Sequence, residues 1–87
     1  MDKQEMMEIL AEEGCLTADG FDEALIGCSY GANVVAVYDI DRMLEILVAE
    51  GMDYNDAVEH LDFNVVGAYV GEKTPLYISL GEEVYNH

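Results

Sequence analysis

Two short spacings in the sequence could bring metal-binding or acid–base groups together. Asp39-Ile40-Asp41 has the D-x-D form of some metal sites, and His60 follows Asp56 at the helical spacing of four. Asp39 and Asp41 also stand between a β-branched run and a helical pattern, where an aspartate N-cap contributes about 1 kcal/mol. Asp56 and His60 make at most half of a ligand set. We therefore interpret the two aspartates as helix caps and His60 as a surface residue, and we predict no metal site and no cofactor.

The remaining reactive side chains form no catalytic pattern. Cys15 and Cys28 make no C-x-x-C pair and have no nearby histidine, so we interpret them as reduced, buried apolar residues. The sequence has no Ser-His-Asp order and no glycine loop that would cradle a phosphate. Paired carboxylates need an apolar pocket to raise the pKa of one member, and no such pocket is indicated. We predict that the protein is not an enzyme.

Carboxylates dominate the composition. The 87 residues include 19 Asp and Glu but only 3 Lys and Arg, which gives a formal net charge of −16. Affinity for nucleic acid depends on basic side chains that displace counterions from phosphates, so direct nucleic-acid binding is excluded. The apolar fraction of 52 % favours a folded domain over disorder. No apolar run reaches the length of about 18 residues needed to span a membrane, so we expect a cytoplasmic protein with no membrane partner.

Hydrophobic periodicity and turn residues predict a single α+β domain over residues 1–80 and a polar acidic tail over residues 81–87. About four helices are expected to pack on a small two- to three-stranded antiparallel sheet. The expected helices cover residues 3–13, a short stretch around 23–26, a third from Asp39 or Asp41 to Gly51, and a fourth from Asp53 or Asn55 to Gly71, with a break or close packing at Gly67. The expected strands cover residues 34–38 and 76–80.

Two of these helices carry carboxylates at helical spacing. Neighbouring charges along such a row lie about 5–6 Å apart and destabilise the helix by a few tenths of a kcal/mol per pair. A regular row of carboxylates resembles the phosphates of a nucleic acid and would attract a protein with a basic groove. The alternative is a solvated face that serves solubility or a salt-rich habitat. The predicted partner-binding acids are Glu5, Glu8 and Glu12 on the first helix and Asp56, Glu59 and Asp62 on the fourth.

Tyrosine is the second feature that suggests an interface. The chain has six tyrosines, more than so small a core can enclose. Tyrosine is favoured at interfaces because it adds contact area at a low cost in side-chain entropy. Tyr54, at the start of the fourth helix, and Tyr85, in the tail, are the predicted anchors of a protein contact.

Three segments of the sequence resemble a family of small bacteriophage proteins. They are residues 37–43, 56–59 and 64–75, and the resemblance spans roughly residues 24–78. The family has no assigned role and no catalytic motif. In size and charge the chain is also similar to phage proteins that disable host defence, notably anti-CRISPR proteins and DNA-mimicking anti-restriction proteins. These resemblances imply a phage origin and a place of action in the host bacterial cytoplasm.

Two functions follow from these observations as expectations. The first is a phage-encoded, non-enzymatic inhibitor whose acidic surface occupies the basic nucleic-acid-binding site of a defence complex, such as a CRISPR effector or a restriction enzyme. The second is a small regulatory or structural interaction module, expected to be a homodimer, whose charge serves only solubility. The dependence of binding on salt concentration distinguishes the two functions, because salt weakens a charged interface and has little effect on an apolar one.

Overall fold

The computed structural model describes residues 1–81 of the chain. Over these residues the fold is α+β, as predicted, but it has three α-helices rather than about four. The predicted tail lies outside the described residues except for Gly81. In chain order the elements are α1 (Lys3–Glu12), a 3-10 turn (Asp22–Ala24), β1 (Leu25–Cys28), β2 (Ala36–Asp39), α2 (Ile40–Ala49), α3 (Tyr54–Leu61), a π-helical segment (Asp62–Val66) and β3 (Leu76–Ile78).

The first predicted helix is confirmed as α1. Residues at both of its ends set its boundaries. The Asp2 carboxylate accepts a hydrogen bond from the backbone N–H of Glu5 at 2.8 Å. At the other end Gly14 has a φ of +68°, which favours glycine. This turn lets the N–H of Cys15 donate to the carbonyl of Leu10 at 2.9 Å.

The short helix predicted around residues 23–26 is wrong. The chain makes one 3-10 turn and then extends as β1, antiparallel to β2. Leu25 lies opposite Tyr38, and an irregularity between Leu25 and Gly27 adds a residue to β1. This β-bulge brings Leu25 and Cys28 to the same face of the sheet. The ladder with β2 satisfies backbone groups that an isolated helix of four residues would leave unpaired.

The strand order is β1-β2-β3, and β3 runs parallel to β2. The expectation of an antiparallel sheet is therefore correct for β1 with β2 and wrong for β2 with β3. The reason lies in the connection, since α2 and α3 occupy the chain between β2 and β3. A helical crossover of this kind returns the chain to the end of the sheet where β2 began, and parallel pairing follows.

Aspartate caps start both helices of this crossover. Asp39 accepts hydrogen bonds from the backbone N–H groups of Asp41 and Arg42 at 3.0 and 3.3 Å. Asp53 accepts one from the N–H two residues further on, at 3.1 Å. The interpretation of Asp39 as a cap is confirmed, whereas Asp41 lies inside the first turn. The predicted stop at Gly51 is also observed, with a φ of +104°.

The fourth predicted helix ends before Gly71. Its regular α-helical turns stop at Leu61, and the π-helical segment continues the chain to Gly67. The N–H of Gly67 donates to the carbonyl oxygen of Asp62 at 3.0 Å. A Cβ added to Gly67 would stand 2.6 Å from that same oxygen. The wide turn therefore needs a residue without a side chain here, which is the close packing that the sequence predicts at Gly67.

One core joins the three helices to one face of the sheet, here called the inner face. Tyr38 and Tyr77 stack on this face with their ring centroids 6.0 Å apart. In residues 1–81 no polar or charged residue is fully buried. The opposite, outer face leaves Ile26, Leu76 and Ile78 exposed. The buried members of the core cluster are Met6, Leu10, Phe21, Ala24, Leu25, Ala36, Tyr38, Met43, Leu47, Ala57 and Leu61.

Candidate protein-interaction surface

The α1 acids form an exposed row, as the spacing predicts. Met6 and Leu10 anchor the inward side of α1 in the core. Glu5, Glu8 and Glu12 are all exposed, and at 100° per residue they share a face directed away from that side. The row contains no exposed aromatic residue, so α1 offers charge with little apolar contact.

The α3 acids lie in a different setting. Asp56 and Glu59 are exposed and line a shallow groove together with His60 and Phe63. Phe63 is 78 % exposed, so an accessible aromatic ring lines the same groove as two carboxylates. Asp62 is also exposed and lies where α3 passes into the π-helical segment. This surface, made by Asp56, Glu59 and Phe63, is here called the α3 patch.

Phe63 is a surface residue that the predicted site omits. It follows Glu59 by four residues and Asp56 by seven, the spacing of one helical face. It also lies away from the apolar positions, such as Val58 and Leu61, whose helical spacing predicts the buried side of the fourth helix. These two signals together could have placed an exposed ring among the acids. Tyr30 and Tyr69 are strongly exposed as well.

The two predicted anchors have different outcomes. Tyr54 is the first residue of α3, and its side chain is 59 % exposed. It faces α2 across a groove whose other lining residues come from that helix. Tyr54 is therefore accessible as predicted, although it belongs to a separate groove from the α3 patch. Tyr85 lies outside the described residues.

The two acidic rows lie on separate elements. α1 packs against β1, whereas α3 packs against α2 and continues into the π-helical segment. The molecule measures 38 × 36 × 20 Å along its principal axes. The structure therefore brings the acids together within each row, as the spacing requires, and supplies two acidic surfaces of different composition.

All three basic side chains of the protein contact groups of its own chain. The ammonium groups of Lys3 and Lys73 donate to the backbone carbonyls of Asp22 and Val34. Arg42 forms the one salt bridge found in residues 1–81, to the carboxylate of Glu45 at 3.5 Å. The exposed carboxylates of α1 and α3 therefore have no ion-pair partner within the described part of the chain.

The residues singled out for metal or redox chemistry have structural contacts. The ring of His60 accepts a hydrogen bond at Nδ1 from the side-chain amide of Asn64 at 3.3 Å. Among residues 1–81 no group of three or more His, Cys, Asp or Glu side chains is placed to hold a metal ion. The Asp39 carboxylate is occupied as a helix cap, and Asp41 accepts a hydrogen bond from the hydroxyl of Ser79 at 2.7 Å.

The cysteines are only half-buried, so the expectation that both are buried needs correction. The two residues lie at the edge of the core, where a loop and the end of β1 leave part of each side chain accessible. The Cys15 thiol donates to the carbonyl of Val34 at 3.0 Å. Burial raises the pKa of this thiol above its usual value, so it stays protonated at neutral pH.

On the inner face Tyr38 is fully buried, and Tyr77 beside it is partly buried. Burial raises the pKa of both phenols, because the charged phenolate loses solvation in the core. The hydroxyl of Tyr38 accepts a hydrogen bond from the N–H of Ala18 at 2.8 Å. The Tyr38 ring therefore joins the sheet to the loop after α1, and Tyr77 stacks on it.

Comparisons with protein-family models, with the curated proteins and with the solved structures found no match to this chain. In the part of the chain that the structure describes, no helix has the length and apolar character needed to cross a membrane.

Proposed function

We propose that this protein is a phage-encoded, non-enzymatic inhibitor that acts in the host bacterial cytoplasm. It occupies the basic nucleic-acid-binding site of a defence protein such as a CRISPR effector or a restriction enzyme. The observation that carries the proposal is the distribution of charge. All three Lys and Arg side chains contact the chain itself, while the carboxylates of α1 and α3 are exposed to solvent.

Such a surface selects its partners by the sign of their charge. Carboxylates on a rigid helix repel nucleic acid and acidic proteins, and they accelerate encounter with a cationic groove. The protein then blocks that groove in two ways, by filling it and by opposing the entry of phosphates. No chemical step is needed for this kind of inhibition.

The α3 patch is the main contact in this proposal. Protein interfaces draw most of their affinity from a few well-packed residues, and aromatic rings are prominent among them. The α3 patch combines the carboxylates of Asp56 and Glu59 with the exposed ring of Phe63. The α1 row supplies charge alone and therefore acts as a second patch that contributes mainly to the rate of encounter.

The test is competition with DNA for purified CRISPR effectors and restriction enzymes, followed by gel mobility shift. The protein should release DNA from its target at 0.1 M salt and lose affinity at 1 M, where the Debye length falls from about 10 Å to about 3 Å. The triple variant Asp56→Asn, Glu59→Gln and Asp62→Asn should bind its target about tenfold more weakly or worse.

The α1 row provides the matched control. The triple variant Glu5→Gln, Glu8→Gln and Glu12→Gln removes the same number of charges from an equally exposed helix. It should weaken inhibition less than the α3 variant does. Equal weakening would mean that total charge, rather than the α3 patch, drives binding. Full inhibition by both variants would remove the basis of the proposal.

A second candidate function rests on the outer face of the sheet. Ile26, Leu76 and Ile78 are exposed there, and Leu76 keeps 51 % of its surface accessible. Exposed apolar residues on one sheet face favour an interaction module that buries them against a second copy of the chain. Light scattering distinguishes the two candidates. A dimer that persists at 1 M salt supports the module, and a monomer under all conditions supports the inhibitor.

A further inference from the structure

A narrow groove lies between α2 and the first residue of α3. Four of its lining residues, Asp41, Leu44, Glu45 and Val48, recur along α2 at spacings of three and four. Tyr54 closes the groove from the start of α3. Two carboxylates and an exposed aromatic ring thus share one groove with the aliphatic side chains of Leu44 and Val48, here called its apolar floor.

The floor of the groove is accessible to a ligand. Leu44 is half-buried against the core, while Val48 and Tyr54 are exposed. These three side chains supply an apolar strip along the groove. A short hydrocarbon segment that carries a polar end fits this strip better than a fully charged or fully apolar group does.

The two carboxylates of the groove favour a positive charge on that polar end. Asp41 and Glu45 lie one helical turn apart, which corresponds to about 6 Å along the axis of α2. The hydroxyl of Ser79 donates to Asp41 at 2.7 Å and holds its carboxylate in place from the end of β3. A cation placed between the two acids would satisfy both, so the charge of the groove complements a basic side chain.

The chain's own cations do not fill this groove. Arg42 reaches Glu45 at 3.5 Å, but both side chains are more than half exposed, so the pair is weak and exchangeable. Lys3 and Lys73 contact backbone carbonyls elsewhere. In residues 1–81 the Asp41 carboxylate has no ion pair, and an incoming cation can displace Arg42 from Glu45.

We propose that this groove binds an arginine side chain of the basic partner. The inference rests on the proposed function and adds the residue type that the protein recognises. Arginine fits each part of the groove. Its methylene stem matches the apolar floor, its guanidinium can stack on the Tyr54 ring, and its forked N–H donors match the paired carboxylates. Lysine offers a compact, strongly hydrated charge that stacks less well.

The test uses two peptides of equal charge, one of nine lysines and one with arginine at the central position. Their binding to the full-length protein is measured by NMR titration at 50 mM salt. The arginine peptide should bind roughly two- to fivefold more tightly, as expected for one cation–π contact. Its titration should shift the signals of Leu44, Val48 and Tyr54. Equal affinities, or shifts confined to other residues, would overturn the inference.

Two variants locate the preference. Tyr54→Leu keeps the groove apolar but removes the ring, so the ratio of the two affinities should fall to about one. Tyr69→Leu removes another strongly exposed ring that does not line the groove, and it should leave the ratio unchanged. A ratio that survives in Tyr54→Leu would show that the arginine binds elsewhere. Circular dichroism confirms that both variants are folded.

The outcome is separable from that of the proposed function. If no defence protein is blocked but the arginine preference holds, the proposed function fails and the arginine groove stands. If DNA competition succeeds but the two peptides bind equally, the inhibitor stands and the arginine groove fails.

Discussion

The helical layer and the outer face of the sheet meet solvent with opposite chemistry. On α1 and α3 the exposed side chains include five carboxylates, and the one salt bridge found in residues 1–81 lies on α2 and neutralises none of them. On the outer face the accessible side chains are apolar, with Leu76 and Ile78 on β3 and Ile26 at the bulge of β1. The charged surface and the apolar surface are thus separated by the thickness of one core.

This separation shows which residues hold the fold together. Exposed carboxylates in a row repel one another, and exposed apolar residues gain little from folding, so neither surface explains the stability of the domain. The stabilising contacts lie between the two surfaces, in the shared core and at the helix ends. Substitutions on either surface should therefore alter binding more than stability, and substitutions between them should do the reverse.

The largest effect on stability is expected at Gly67, which belongs neither to the acidic rows nor to the outer face. Gly67→Ala adds a Cβ that would stand 2.6 Å from the carbonyl oxygen of Asp62, which is closer than these two atoms can normally approach. The π-helical segment must shift, and we expect a loss of roughly 1–3 kcal/mol in the free energy of unfolding. Chemical denaturation measures this loss.

Gly27 is the matched control for Gly67. A Cβ at Gly27 would meet nothing within 4 Å, and its backbone does not need a glycine conformation. Gly27→Ala should change the free energy of unfolding by about 0.5 kcal/mol or less. Equal effects of the two substitutions would show that the π-helical segment does not need the space at Gly67.

A smaller loss of stability is expected at a capping aspartate, and this loss distinguishes the caps from the acids of the rows. Asp39→Ala removes the acceptor of two backbone hydrogen bonds and should cost about 1–2 kcal/mol in the free energy of unfolding. Asp39→Asn should keep most of the stability, because an asparagine side chain caps equally well. Thermal and denaturant unfolding check both values.

Asp56→Ala is the corresponding change within the α3 patch. The Asp56 carboxylate is exposed on the first turn of α3, where Asp53 already provides the cap. Its loss should change stability by about 0.5 kcal/mol or less. A loss as large as that of Asp39→Ala would mean that the acidic surface also supports the fold, which contradicts the comparison of the two surfaces.

A similarly small effect on stability per site is expected on the outer face. The double variant Leu76→Thr and Ile78→Thr keeps residues that suit a β-strand while removing exposed apolar surface. The free energy of unfolding should change by about 0.5 kcal/mol or less per site, and inhibition of the proposed target should be unchanged. If the variant instead converts a dimer to a monomer or abolishes inhibition, the outer face is the functional surface.

The sequence predicts well those features whose causes lie within one or two helical turns. The cap at Asp39, the stops at Gly14 and Gly51 and the exposure of the acidic rows all depend on neighbours along the chain. The prediction of a helix around residues 23–26 is wrong because the alternative, pairing of β1 with β2, depends on residues eight to thirteen positions away. The exposed ring of Phe63 is absent from the predicted site, although its helical spacing to Asp56 is visible in the sequence.

The amino-acid sequence by itself determined the α+β class, the positions of α1, α2 and most of α3, and the acidic character of the surface. Short-range hydrogen bonds and net charge fix these properties without reference to the rest of the chain. Only the tertiary structure decided that β3 is parallel to β2, that the apolar residues of β3 divide between two faces, and that Tyr54 faces Asp41 across a groove. Each of these depends on how distant segments pack, because burial of a shared core selects one arrangement among several that the local pattern allows.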